Sequence, residues 1–357
     1  MKRKLLRLSF MGLLAIITFS LAAQKKGKEE ELDLTRPVDY MRAISNETGQ
    51  ISQDMMSYIS AAAHSRRAKK IDKRRKEVVG TMFQAIRRIK RLPDFEGSGE
   101  YRDAALKYLE LRYSVMNEDY ARIVDMEEVA QESYDAMEAY LLMKEKVDEK
   151  LDEANLLFRE GQRAFAAANN VNLVDGGSSK LGDAMEKTGR VNKYSNQVFL
   201  IYFKTRIEEK YLWRAVKEGD LSAMEQRKSS MLQFSEEGIT KLQELGGFDG
   251  DKALIIACGK ALRFFEAHAK NDVDQLQEFF LSKEQFENVK KAYDNKRSSD
   301  RTQEDVDRYN NALKKYNAGI STYNEIVSRT NKGRTAAIDG YNDARDKFRD
   351  RHTPRYK

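Results

Sequence analysis

Only three prolines, Pro37, Pro93 and Pro354, interrupt 357 residues. Proline removes a backbone donor and clashes with the preceding turn, so its scarcity leaves long stretches free to run as helix. The side chains between them favour that outcome, being rich in Ala, Leu, Glu, Lys, Arg, Gln and Met, the residues that lose least on entering a helix. Apolar residues recur at steps of three and four, as in Val79, Met82, Phe83, Ile86, Ile89 and Leu92, and again in Tyr101, Ala104, Ala105, Tyr108, Leu111 and Val115. Strands would need alternation instead. The periodicity predicts helices over 38–64, 67–91, 100–117 and 120–168, then over 188–217, 220–245, 252–270, 273–295 and 303–332.

Between the two groups lies Asn169 to Ser179, rich in Asn, Gly and Ser, which reads as a loop or linker. Lys2, Arg3, Lys4 and Arg7 precede an apolar run from Leu8 to Leu21, closed by Ala22 and Ala23. Basic start, short apolar run and small residues at its end are the parts of a cleaved secretory signal, with cleavage expected after Ala23 or, alternatively, Ala22. The run is short for a membrane span, and no span is expected in the mature chain. The sole cysteine, Cys258, excludes lipidation at a cleavage-point cysteine and any intramolecular disulfide. The expected organisation is a signal peptide at 1–23, a charged disordered leader at 24–36, a helical bundle at 37–168, a linker at 169–187, a second bundle at 188–335, and a helix end or tail at 336–357. Localisation would be the periplasm or cell surface, and not as a lipoprotein.

Displacing the chain by 153 residues brings 92–140 onto 245–293 without a gap. Leu92, Phe95 and Gly97 meet Leu245, Phe248 and Gly250; Ala104, Lys107 and Leu109 meet Ala257, Lys260 and Leu262. Asp119 meets Asp272, and Ala139–Tyr140 meets Ala292–Tyr293. Nine identities over 49 positions would be weak alone; shared spacing of corner residues and of the apolar pattern makes them a duplication. The expected fold class is therefore all-α, as two tandem, internally duplicated antiparallel bundles of four to five helices each. The repeated element, carrying Phe95 and Gly97 or Phe248 and Gly250, reads as a helix–turn–helix corner. Its glycine would end a helix at positive φ, and Ser98 or Asp251 would cap the next.

The run Lys193 to Lys204, the corner Phe248-Asp249-Gly250-Asp251, and Phe279-Phe280-Leu281 with Phe286 resemble a family of uncharacterised bacterial exported proteins labelled surface proteins. The resemblance covers mainly residues 188–335. It implies a two-bundle helical protein of the cell envelope, and it supplies no catalytic residues to carry over.

Constellations that carry chemistry are few. His64, His268 and His352 form no metal-binding spacing, and His64 and His268 read as helix-end cations. Cys258 lies within an apolar helix and reads as core, while Phe199, Phe203, Trp213, Phe264 and Phe265 are core candidates. Neither enzymatic activity nor a cofactor is expected. One segment departs from charge balance. Arg66, Arg67, Lys69, Lys70, Lys73, Arg74, Arg75, Lys76, Arg87, Arg88, Lys90 and Arg91 face only Asp72 and Glu77, a local net charge of 12 − 2 = +10. Such density attracts polyanions through counterion release or anionic lipid, unless the acidic stretch 118–153 neutralises it. The expected function is binding or scaffolding in the envelope, toward a protein or cell-wall component, with an anionic polymer or lipid surface as the alternative partner of the 66–91 helix.

Overall fold

In a computed structural model, residues 32–64, 68–119, 130–173 and 180–356 are described. The signal-peptide reading, most of the leader, and Arg66 and Arg67 lie outside them. The described residues hold helices α1 (Pro37–His64), α2 (Ala68–Ile89), α3 (Glu100–Ser114), α4 (Tyr134–Ala168), α5 (Lys180–Glu218), α6 (Leu221–Leu245), α7 (Ala253–Asn271), α8 (Val273–Asp294) and α9 (Gln303–His352). No strand occurs among them, so the chain is all-α.

Contacts divide the chain into two units. One comprises residues up to Asn196 together with Asp346–Lys357, and the other Gln197–Arg345. Expectation and structure differ here. The division falls inside α5, and not in the 169–187 linker, because helix starts already at Lys180 and buries Met185, Thr188 and Val191. Of the helix end or tail expected at 336–357, the structure shows helix. Helix continues to His352 because Tyr341, Arg345, Phe348 and Arg349 recur on a helical period and are buried; dense charge at 342–351 hid that face from a composition reading. A further correction concerns the helix expected at 120–168: residues 131–133 are not helical, 120–129 lie outside the described residues, and α3, expected to reach 117, passes into a π-turn at Val115–Asp119. Helix α4 then begins at Tyr134, whose N-cap Ser133 accepts a bond from the Ala136 amide at 3.1 Å.

In the first unit α1 packs on α2, α2 on α3, and α3 on α4. A column of rings runs through it: Tyr40 and Phe95 at 5.2 Å, Phe95 and Phe165 at 5.0 Å, Phe165 and Tyr101 at 5.1 Å, then Phe158 and Tyr108 at 5.4 Å. The Tyr40 hydroxyl donates to the Pro93 carbonyl at 2.8 Å, fixing the corner to α1. The chain end joins the same unit, with Asp350 paired to His64 and the Tyr356 amide donating to Ser60 Oγ at 3.2 Å. In the second unit α6, α7 and α8 pack pairwise. Phe279, Phe286 and Tyr293 of α8 meet Tyr309, Tyr316 and Tyr323 of α9, each set stepping by seven residues, with centroid distances from 4.7 to 6.1 Å. A seven-residue step is the seam of a two-helix coiled coil. Phe199, Phe203 and Phe265 are buried as expected, whereas Trp213 and Phe264 keep part of their surface in solvent.

The two corners share one geometry. Phe95 and Ser98 exchange backbone bonds of 3.0 and 2.9 Å, and Phe248 and Asp251 exchange bonds of 3.0 and 2.9 Å. Between them Glu96 and Gly97 have φ of 50° and 82°, and Asp249 and Gly250 have 46° and 86°. Positive φ at both central residues defines the two-residue turn of a tight hairpin. This corrects the C-cap role expected for Gly97 and Gly250, since α2 and α6 have already ended at Ile89 and Leu245. It is Gly246, with φ of 66°, that follows α6. Ser98 and Asp251 accept from the amides of Glu100 and Ala253 at 3.4 and 2.8 Å, one residue ahead of the N-cap position.

Elsewhere, too, the displacement of 153 holds. Helices α2 and α6 begin at Ala68 and Leu221, and α3 and α7 at Glu100 and Ala253. Val78, Met82, Ala85 and Ile89 are buried in α2, and Met231, Ser235, Gly238 and Leu242 in α6. Buried Tyr101, Ala105, Tyr108, Leu109 and Arg112 of α3 correspond to buried Leu254, Cys258, Ala261, Leu262 and Phe265 of α7.

Added Cβ atoms at Gly97 and Gly250 would meet nothing within 4 Å, so positive φ alone requires glycine there. Gly97→Ala and Gly250→Ala should each cost about 1–2 kcal/mol. Gly80→Ala, inside α2 and equally uncrowded, should stabilise by about 0.5–1 kcal/mol. Urea denaturation of the three variants checks the opposite signs.

Candidate functional site

Helix α2 buries Val78, Met82, Ala85 and Ile89, and the Val, Met and Ile side chains each contribute roughly 1.5–3 kcal/mol. That burial fixes the rotation of the helix, and so fixes which cations face water. At 100° per residue, Lys69, Lys73, Lys76 and Arg87 fall opposite the buried stripe, and all four are exposed. Lys69 and Arg87 are 18 residues apart, five whole turns and about 27 Å. Arg91 continues the line in the turn after α2. Between the basic ends the outward face carries Gly80, Phe83 and Gln84. Phe83 is 45% exposed, with the Arg87 guanidinium 5.8 Å from its ring centre.

The cations of this segment differ in their partners. Arg75 is half-buried, reaching Asp72 at 3.2 Å and donating to the Met116 carbonyl at 3.1 Å. Arg88 grips Glu47 of α1 through two bonds of 2.6 Å, a bidentate arrangement in which both charges support the bond; the contact raises the Arg88 pKa. Arg74 meets Glu77 at 2.7 Å, and Lys76 meets Asp72 at 2.9 Å. Lys73 lies 3.9 Å from Glu77 with its side chain 78% exposed, too open for that pair to hold much energy. For Lys69, Lys70, Arg87, Lys90 and Arg91 no carboxylate comes within ion-pair distance among the described residues. The neutralising carboxylates seen here come from α1 and from α2 itself. Of the acidic stretch 118–153, residues 120–129 lie outside the described residues. The division into outward and flanking cations follows from the 18-residue recurrence and could have been drawn from a helical projection of the sequence.

Helix α6 supplies an internal comparison at the same displacement. Arg74, Arg75 and Arg88 correspond to Arg227, Lys228 and Lys241, all cations. The outward Lys69, Lys73, Lys76, Arg87 and Arg91 correspond to Ser222, Gln226, Ser229, Thr240 and Glu244, none of them cationic. Arg227 and Lys228 are moreover paired, with Glu208 at 3.1 Å and with Asp274 respectively.

The histidines occupy different settings. His64 ends α1 and pairs with Asp350, whose carboxyl is held below its ordinary value chiefly by that bond. His268 is buried three residues before the end of α7 and reaches Asp272 through Nδ1 at 2.8 Å. Asp272 also pairs with Arg329. Burial acts to raise its pKa, and the bonds from His268 and Arg329 outweigh burial and leave it lowered. His268 Nε2 is buried without a hydrogen-bond partner among the described residues, so the pair offers no exposed acid or base. Glu209, fully buried, joins Arg206 at 2.6 Å and Arg334 at 3.1 Å, and Arg334 lies over the Trp213 ring. Sequence reading missed this network because its partners are up to 125 residues apart. Burial strongly raises the Cys258 thiol and keeps it protonated. No group of three or more His, Cys, Asp or Glu side chains is placed to hold a metal among the described residues. None of the described helices is long and apolar enough to cross a membrane. Comparison with protein-family profiles, curated proteins and solved structures gives no match.

Because Asp272 is depressed, its contribution is present above the ordinary carboxylate value of 3.8 and fades as pH falls through the lower folded value. Asp272→Asn should therefore cost about 1.5–3 kcal/mol at pH 7 and show a flatter acid limb below pH 4. Urea midpoints measured from pH 7 to pH 3 test both.

Proposed function

We propose that this is an exported, non-catalytic binding protein of the cell envelope, built from two duplicated helical units, which engages an anionic partner through the outward face of α2. One observation carries the reading. Cations at the positions of Arg74, Arg75 and Arg88 recur in both α2 and α6, whereas the outward file of Lys69, Lys73, Lys76, Arg87 and Arg91 belongs to α2 alone. A bundle can thus form without that file, and its retention calls for a ligand. Duplication is supported by the matching helix starts, buried positions and corner geometry at one displacement. Export rests on the basic and apolar character of residues 2–23 and on the resemblance to exported surface proteins.

Cell-envelope fragments provide the test. The protein should sediment with them at low salt and be released at moderate salt, since exposed charge contacts are screened within about 8–10 Å at physiological ionic strength. A variant carrying Lys69→Glu, Lys73→Glu, Arg87→Glu and Arg91→Glu should remain in the supernatant. Equal sedimentation of the variant, or retention of the wild type at high salt, would refute the α2 surface and favour a packed protein interface. Protease treatment of intact cells then decides between the periplasm and the outer surface.

A further inference from the structure

We infer that the ligand of α2 is a linear polyanion lying along the helix axis, rather than an anionic membrane; this deepens the reading above and depends on it. The width of the basic surface carries the argument. Asp72 lies on one flank of the file and Glu77 on the other, displaced to either side by the 100° step. Their carboxylates reach inward to Lys76 and Lys73, and Glu47 stands beside Arg88 on the Glu77 side. The outward cations therefore run between two acids at the level of Lys73 and Lys76, while Lys70 and Lys90, also exposed, stand on the flanks nearer the two ends. A thread of negative charge can follow such a file from Lys69 to Arg87, about 27 Å, meeting the two flanking carboxylates of α2 only at Lys76 and Lys73. A planar anionic surface would press against the acids as well.

Apolar chemistry argues the same way. A helix lying in a membrane interface turns its apolar face into the lipid and keeps cations at the sides. In α2 the apolar face is occupied by Val78, Met82, Ala85 and Ile89 inside the first unit, and Phe83 is the only large apolar side chain on the outward face. One ring offers little area for insertion. Beside Arg87, Phe83 instead gives the middle of the file an uncharged platform over which a polymer can pass.

The test uses the full mature chain, with inorganic polyphosphate of graded length and vesicles containing anionic phospholipid as probes. Affinity for polyphosphate should rise with chain length and level off once the chain spans the file. With four to five contacts at a single-strand slope, affinity should fall on the order of a hundredfold between 50 and 200 mM salt. Replacing Lys69, Lys73, Arg87 and Arg91 by Gln should lower the salt slope by about three. A control variant with Lys290, Lys291, Lys314 and Lys315 replaced by Gln, all exposed on α8 and α9, should keep the wild-type slope. Circular dichroism and thermal midpoints of both variants establish that they fold. Equal loss in the control would reduce the effect to net charge and overturn the inference. Vesicle binding that exceeds polyphosphate binding and collapses in Phe83→Ala would overturn it in favour of a membrane, while leaving an anionic partner for α2 in place. Failure of both probes, with envelope sedimentation still dependent on the file, would point to an acidic protein and also overturn it.

Discussion

Burial of Val78, Met82, Ala85 and Ile89 sets the rotation of α2, and the chemistry of the first unit's surface follows from that rotation. Turning the helix by one residue's angle would bring Glu77 or Asp72 into the outward position and break the file. Two polar contacts resist such a turn. Arg88 is held to Glu47 of α1, and Arg75 to the Met116 carbonyl beyond α3. These side chains grip from opposite sides of the buried stripe, so packing and ion pairing specify one orientation together. Arg75 and Arg88 thus belong to the fold, whereas Lys69 and Arg87 carry no ion pair among the described residues.

Much of the fold was legible in the sequence because helical order is local. Proline scarcity, helix-forming composition and the three-to-four periodicity give α1, α2, α3, α6, α7 and α8 nearly to the residue. Errors fell where local signals conflict. At 342–351 alternating Arg, Asp and Lys outweigh Tyr341, Phe348 and their neighbours in any composition window, although four buried positions on one period suffice to hold a helix in place. At 95–98 the glycine signals positive φ correctly, yet a helix C-cap and a two-residue hairpin turn both want glycine. Only the reciprocal Phe95–Ser98 bonds distinguish them.

The candidate surface was half legible. Its charge is plain in residues 66–91, but charge density does not say which side chains are engaged. That depends on partners distant in sequence, such as Glu47 against Arg88. The same limit hid the Glu209–Arg334 and Asp272–Arg329 pairs, for which nothing in the sequence neighbourhood of either member marks the other. Internal comparison compensates in part. Two helices that share a buried pattern but differ on the outward face separate what packing requires from what it merely permits.

Placement of the file along α2 carries an electrostatic cost that bears on its purpose. Lys69 and Lys70 stand in the first turn, which contains no acidic residue, at the end of the helix where backbone N–H groups already present partial positive charge. Lys69 and Lys73, four residues apart, repel each other across one turn, as Lys73 and Lys76 do at three. Each of these terms disfavours the isolated helix by a few tenths of a kcal/mol; Asp72 beside Lys76 and Glu77 beside Lys73 offset part of the repulsion, and Lys69 and Lys70 have no such carboxylate among the described residues. In α6 the corresponding first-turn positions are Ser222 and Ala223, behind an Asp220 N-cap that accepts the Ala223 amide at 2.9 Å. The second unit thus uses the sequence pattern that stabilises a helix start, and the first departs from it at the positions that face solvent. A linear anion laid along α2 would reverse the sign of all these terms together, by screening the repulsion between the lysines and meeting the positive helix end.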